Sequence, residues 1–105
     1  MILAAFKKQQ GKLCMCSISG HAGYAEEGED IVCASVSSAV QLIANAMTEI
    51  VKADAEVQVE GDAIMLTLKD PGNLEAVHLL DALLLHLQLL REDYQEFMKV
   101  TVSEV

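Results

Sequence analysis

The sequence predicts an α/β fold of the α+β kind: two helices packed on a mixed sheet, in the order ββαββαβ. Two observations carry that prediction. Apolar residues alternate in short segments bounded by Gly, Asp and Asn turns, and recur at three- and four-residue spacing in two long segments. Size is the third: 105 residues, 52% hydrophobic and 22% charged, suit a globular chain with a modest core. No repeat, low-complexity run or linker divides residues 1–105, so one domain is expected.

Met1 to Lys8 reads as a strand with Ile2, Ala4 and Phe6 on one face. Gln9-Gln10-Gly11 turns the chain into a return strand, Lys12 to Ser19, on which Cys14, Cys16 and Ile18 are expected to share a face. Ile31 to about Lys52 is helical, with Val32, Val36, Ala39, Ile43, Met47 and Ile50 as its apolar stripe. Ser35, Ser38, Gln41, Asn45, Thr48 and Lys52 make the wet side. A second hairpin joins Ala55–Glu60 to Ala63–Lys69 through Gly61-Asp62, a pair suited to a type II′ turn. Asp70-Pro71-Gly72 breaks the sheet, and Asn73 caps a helix from Leu74 to about Gln95. Leu79, Leu80, Leu83, Leu87 and Leu90 form its stripe, while Leu84, Leu85 and Leu89 widen it beyond one sheet contact. Lys99 to Ser103 closes the chain as a strand.

Between the first hairpin and the first helix lies the stretch that carries chemistry. His21 ends a strand, an acidic loop follows, and Cys33 sits near the third position of a helix that Asp30 can cap. A thiol must become thiolate to attack, and an imidazole and the positive end of a helix both favour that form. Cys33 lies at the border of the apolar and wet stripes, with Ser37 one turn further along the same side. Gly20, Gly23 and Gly28 suggest a flexible loop able to admit a peptide and close over it. Asp30 has two roles open to it, capping the helix or orienting the imidazole. The N–H groups at the helix start are candidate donors to an oxyanion.

Each of these residues also has a plainer reading. Cys33 alone is an ordinary buried thiol, His21 a loop histidine, and the acidic run 26–30 a solvated loop whose carboxylates oppose a thiolate. Cys14, Cys16 and His21 do not make a structural zinc site without a second cluster, so no metal and no cofactor is expected. His78 and His86 read as packing or surface residues. The odd count of three cysteines fits free thiols in a reducing compartment, and the opening MILAAFKKQQ lacks a signal-peptide pattern, so the cytoplasm is expected. The second helix is interrupted by Asp81, His86 and Gln88, which disfavours a membrane span. A net charge of −9 argues against nucleic acid and an anionic membrane surface, and favours a basic polypeptide partner.

The segment GHAGYAEEGEDIVCASVSSA, residues 20–39, resembles the signature of the ribosomal-processing cysteine protease Prp family of bacteria. The ββαββαβ layout extends the resemblance over essentially the whole chain. It implies a homodimeric peptidase that removes an N-terminal extension from large-subunit ribosomal protein twenty-seven. It implies Cys33 as nucleophile and His21 as its base, with Asp30 and Ser37 as supporting candidates nearby. Ser35 departs from the pattern, standing where a small residue, often alanine, is expected. Two other classes compete: a homodimeric interaction module in which His21 and Cys33 are structural, and a different thiol-dependent enzyme. Against redox chemistry, the chain has no Cys-x-x-Cys.

Overall fold

In a computed structural model of the chain, which describes residues 1–26 and 29–105, the elements follow the expected ββαββαβ order. They are β1 (Ile2–Gln9), β2 (Lys12–Ser19), α1 (Ile31–Asn45), β3 (Ala55–Glu60), β4 (Ala63–Leu68), α2 (Leu74–Asp93) and β5 (Met98–Glu104). One five-stranded sheet has the order β3-β4-β2-β1-β5. Its β1–β5 pair is parallel and the others antiparallel, so the sheet is mixed. The turns obey local chemistry. Gln10 and Gly11 both have positive φ, the signature of a tight I′ connection, and Gly61 at φ 59 leads the II′ turn into Asp62.

Register stacks the apolar residues of neighbouring strands on one face: Ile2 beside Met98, Phe6 beside Cys16, and Cys16 beside Leu66. Both helices cover that face. Val32, Val36 and Val40 of α1 and Leu80, Leu83 and Leu87 of α2 complete a single buried cluster with it. Burying a Leu or Val side chain contributes roughly 1.5–3 kcal/mol, so this face supplies most of the drive to fold. The stretch Ile31–Ile50 is long and apolar enough to span a membrane, yet Val32, Val36, Val40, Ile43 and Met47 within it are committed to the core.

Two details depart from simple periodicity. The β1–β2 register passes from Lys7 opposite Met15 to Lys8 opposite Leu13, leaving Cys14 as an extra residue. Such a bulge reverses the alternation. The buried face is therefore Leu13, Cys16 and Ile18, and Cys14 does not share it as the pattern predicts. In α1, a π-turn over Ala46–Ile50, closed by the Val51 N–H on the Ala46 carbonyl, adds a residue to the helical turn. The added residue rotates the end of the helix. Ile50, expected in the apolar stripe, is 79% exposed; Val40, outside that stripe but four residues after Val36 and ahead of the π-turn, is buried. Lys52 then leaves the helix at φ 54. On α2 the sheet-facing leucines are buried, Leu79, Leu84 and Leu90 are half-buried, and Leu85 and Leu89 point outward. His78 and His86 are exposed.

Strand β2 stops at Gly20, whose φ of 84 lies in the left-handed region. A Cβ there would collide with the Met1 carbonyl oxygen, whereas Gly23 at φ 73 has open space around it. Gly23→Ala is therefore expected to cost about 1–2 kcal/mol, the strain of left-handed backbone alone. Gly20→Ala should cost more, on the order of 3 kcal/mol, because the first strand must also move. Urea unfolding of the two variants measures the difference, and equal losses would show that the Met1 contact is unimportant.

Candidate active site

The site is built around the start of α1. Asp30 has extended backbone and caps the helix, its Oδ1 accepting from the Val32 and Cys33 N–H groups at 3.0 Å each. Its Oδ2 accepts from the N–H groups of Tyr24 at 3.0 Å and Ala25 at 3.5 Å. One carboxylate thus ties the helix to the preceding loop. Of the two roles open to Asp30, capping is the one the geometry shows. The Cys33 N–H, then the Tyr24 and Ala25 N–H groups, hold its carboxyl below the usual carboxylate range, against partial burial that acts the other way.

The loop is fixed at two further points. The Ala22 N–H donates to Cys33 Sγ at 3.2 Å, and Ala22 itself is buried. Tyr24 packs edge-on against Tyr94 and Phe97, with ring centroids 5.7 and 5.2 Å away. Of the three glycines expected to make this loop flexible, Gly20 is packed against Met1 and Gly23 stands open. Gly28 lies outside the described residues.

His21 and Cys33 line the same groove, a cavity of about 530 Å³ between α1 and the β3–β4 hairpin. Ile18, Val36, Val40, Val59 and Ile64 give it apolar walls, and Ser37, Gln41 and Asp62 give it polar ones. A second cavity of about 450 Å³, lined by Gly23, Ala25, Asp30, Ala34 and Ser37, meets the first at His21 and Cys33. Cys33 is half-buried and His21 largely exposed, its Nε2 3.8 Å from Asp62 Oδ2. Ser37 Oγ accepts from Gln41 Nε2 at 3.0 Å. The structure therefore gathers His21, Cys33, Asp30 and Ser37 in one place.

The expected oxyanion donors need correction. The Val32 and Cys33 N–H groups are taken by Asp30 Oδ1, and the Ala34 N–H bonds to the Asp30 carbonyl. The donor that does reach the sulfur is the Ala22 N–H, which the sequence does not reveal because a backbone group leaves no residue signature. Asp62 and Gln41 escape notice as well; each reads as an ordinary turn or surface residue. Among the described residues no group of three His, Cys, Asp or Glu side chains is placed to hold a metal, and the bulge separates Cys14 from Cys16. What remains is a thiol at the positive end of a helix, a backbone donor on its sulfur, and an imidazole in the same groove. Those are the components of acyl transfer through a cysteine.

Comparison with known proteins agrees. The family of cysteine protease Prp matches residues 1–99. The ribosomal processing cysteine protease Prp of Bacillus subtilis is 26% identical over 110 residues, covering 98% of each chain. The crystal structure of an essential ribosomal processing protease Prp from S. aureus, in complex with a covalently linked product peptide, superposes with a TM-score of 0.92 at 28% identity. That match covers 97% of this chain and 99% of the other. The same S. aureus protease in complex with a substrate peptide superposes with a TM-score of 0.87 at 27% identity, with the same coverage.

Two measurements test the protonation chemistry. Burial pushes the Cys16 thiol up to about 12, so iodoacetamide at about pH 8 should label Cys33 in the native protein and leave Cys16 untouched, as read by peptide mass mapping. Asp30 titrates lower folded than its ordinary value of about 3.9, so its contribution is complete above that value and is lost as pH falls through the lower, folded value. Asp30→Asn should therefore melt lower than the parent at neutral pH, with the gap narrowing in acid below about pH 4. A gap that stays constant from pH 7 into acid would separate Asp30 from the acid sensitivity.

Proposed function

The chain belongs to the Prp family of cysteine proteases, which act on peptide bonds, and on that premise we propose that Cys33 is its nucleophile and His21 its general base. The observation that carries the assignment is the shared groove, lined by both the thiol and the imidazole, with the Ala22 N–H on the sulfur. His21 takes the thiol proton, and the Cys33 sulfur attacks the scissile carbonyl carbon. The developing oxyanion forms beside the sulfur, where the Ala22 N–H and the positive end of α1 favour negative charge. The imidazolium then gives its proton to the leaving amine. Water, activated by the same ring, hydrolyses the thioester and frees the thiol. Asp30 keeps loop and helix in one geometry, and Ser37 with Gln41 offers a hydroxyl and an amide to the peptide in the groove.

The substrate we assign is the N-terminal extension of large-subunit ribosomal protein twenty-seven. The peptide complexes of the S. aureus relative support a peptide in the groove, and the net charge of −9 suits a basic ribosomal protein. The apolar walls favour aliphatic or aromatic side chains next to the scissile bond. Three free thiols suit the cytoplasm. We assign a homodimer, supported by Leu42, Leu85 and Leu89, which are 68%, 57% and 52% exposed and would be covered by a second copy.

Incubating the protein with the extended ribosomal protein and weighing the products tests the substrate; an uncut extension would refute it. Cys33→Ala should abolish cleavage with the fold retained, and turnover in that variant would remove Cys33 from the chemistry. His21→Ala should slow cleavage by about 100-fold to 10,000-fold, the range for loss of a positioned base. Sedimentation at micromolar concentration should show a dimer that Leu85→Glu or Leu89→Glu weakens, and a monomer throughout would refute the assembly.

A further inference from the structure

Asp62 sits at the tip of the β3–β4 hairpin, far from His21 in sequence, and its carboxylate pairs with the imidazole at 3.8 Å. The pairing is set by backbone register rather than by the reach of a long side chain. β2 and β4 run antiparallel with Ile18 opposite Ile64. Continuing that register past the strand ends brings the Gly20–His21 segment level with the Gly61–Asp62 turn. Gly61, at φ 59, makes the turn tight enough to end there. Among the described residues His21 is the one basic side chain within ion-pair distance of Asp62, and both line the groove that holds Cys33.

We infer that Asp62 is the positioning residue of the site: its carboxylate holds His21 through Nε2 so that Nδ1 faces the Cys33 thiol. This rests on the assignment of His21 as base. A neutral imidazole carries one proton, and a carboxylate at Nε2 favours the tautomer protonated there, which leaves the Nδ1 lone pair to accept from sulfur. When the thiol proton arrives, the same carboxylate stabilises the imidazolium. In the free enzyme the pair is open to water, with the two side chains 73% and 49% exposed, and is correspondingly weak. A peptide lying in the groove displaces that water and strengthens the pair when proton transfer needs it. The effect therefore belongs to turnover more than to substrate affinity.

The test is a cycle of variants assayed on one extended peptide. Asp62→Ala should lower kcat by about 10-fold to 100-fold, less than a fully buried triad carboxylate would, and change KM by less than about threefold. Asp62→Asn, which keeps the turn and an acceptor oxygen but not the charge, should fall between, and Asp62→Glu should recover part of the loss. In a His21→Ala background, Asp62→Ala should cause no further loss, because it acts through the imidazole. A defect confined to KM, or an equal additional loss in the His21→Ala background, would overturn the role. If His21→Ala is impaired while Asp62→Ala and Asp62→Asn cleave at the parent rate, this inference alone fails. If His21→Ala cleaves at the parent rate, the assignment of the base fails and takes this inference with it.

Discussion

The site depends on one carboxylate. Asp30 accepts four backbone N–H groups, two from the first turn of α1 and two from the loop before it, and so joins the two segments. A negative charge at a helix N-terminus is favourable in its own right, since it meets the positive end of the helix dipole. Here it also decides where the loop can go. With Tyr24 and Ala25 held to the helix start, Ala22 has little choice but to direct its N–H at the Cys33 sulfur. The same bonds occupy the Val32 and Cys33 N–H groups, so two of the donors at the helix start already have an acceptor.

Much of this is legible in the sequence, for a local reason. His21, Asp30 and Cys33 belong to one short stretch, and a cap, a helix start and a nearby imidazole are devices that residue type and spacing reveal. Element order is equally legible, because each period holds over enough of its strand or helix to mark the element. The departures share one cause. The bulge at Cys14 and the π-turn after Asn45 each insert one residue, and a period carried across an insertion loses its phase there, although Cys16 and Ile18 beyond the bulge keep the expected face. The face of Cys14 and the exposure of Ile50 differ from the periodic expectation in this way.

Asp62 is illegible for a different reason. Nothing near it in the chain distinguishes it from other turn residues; its place opposite His21 comes from the pairing of β2 with β4. Gln41 is similar, since its relation to the groove depends on how α1 lies against the hairpin. Local chemistry can be read from local sequence, whereas partners across a sheet require the register.

The parallel pairing of β1 with β5 has a consequence for when this protein becomes competent. The two strands lie near opposite ends of the chain, and Ile2, which lines the groove, donates its N–H to the Phe97 carbonyl at 2.9 Å. Tyr94 and Phe97 also supply the surface on which Tyr24, and with it the loop bearing His21, comes to rest. During synthesis Cys33 emerges early, but the partner of Ile2 and the anchor of Tyr24 wait for the segment that ends at Phe97. Closing so long a loop is also among the slower steps a small domain can require. A chain that has made Cys33 but not yet Phe97 thus holds the thiol without the contacts that set the loop beside it.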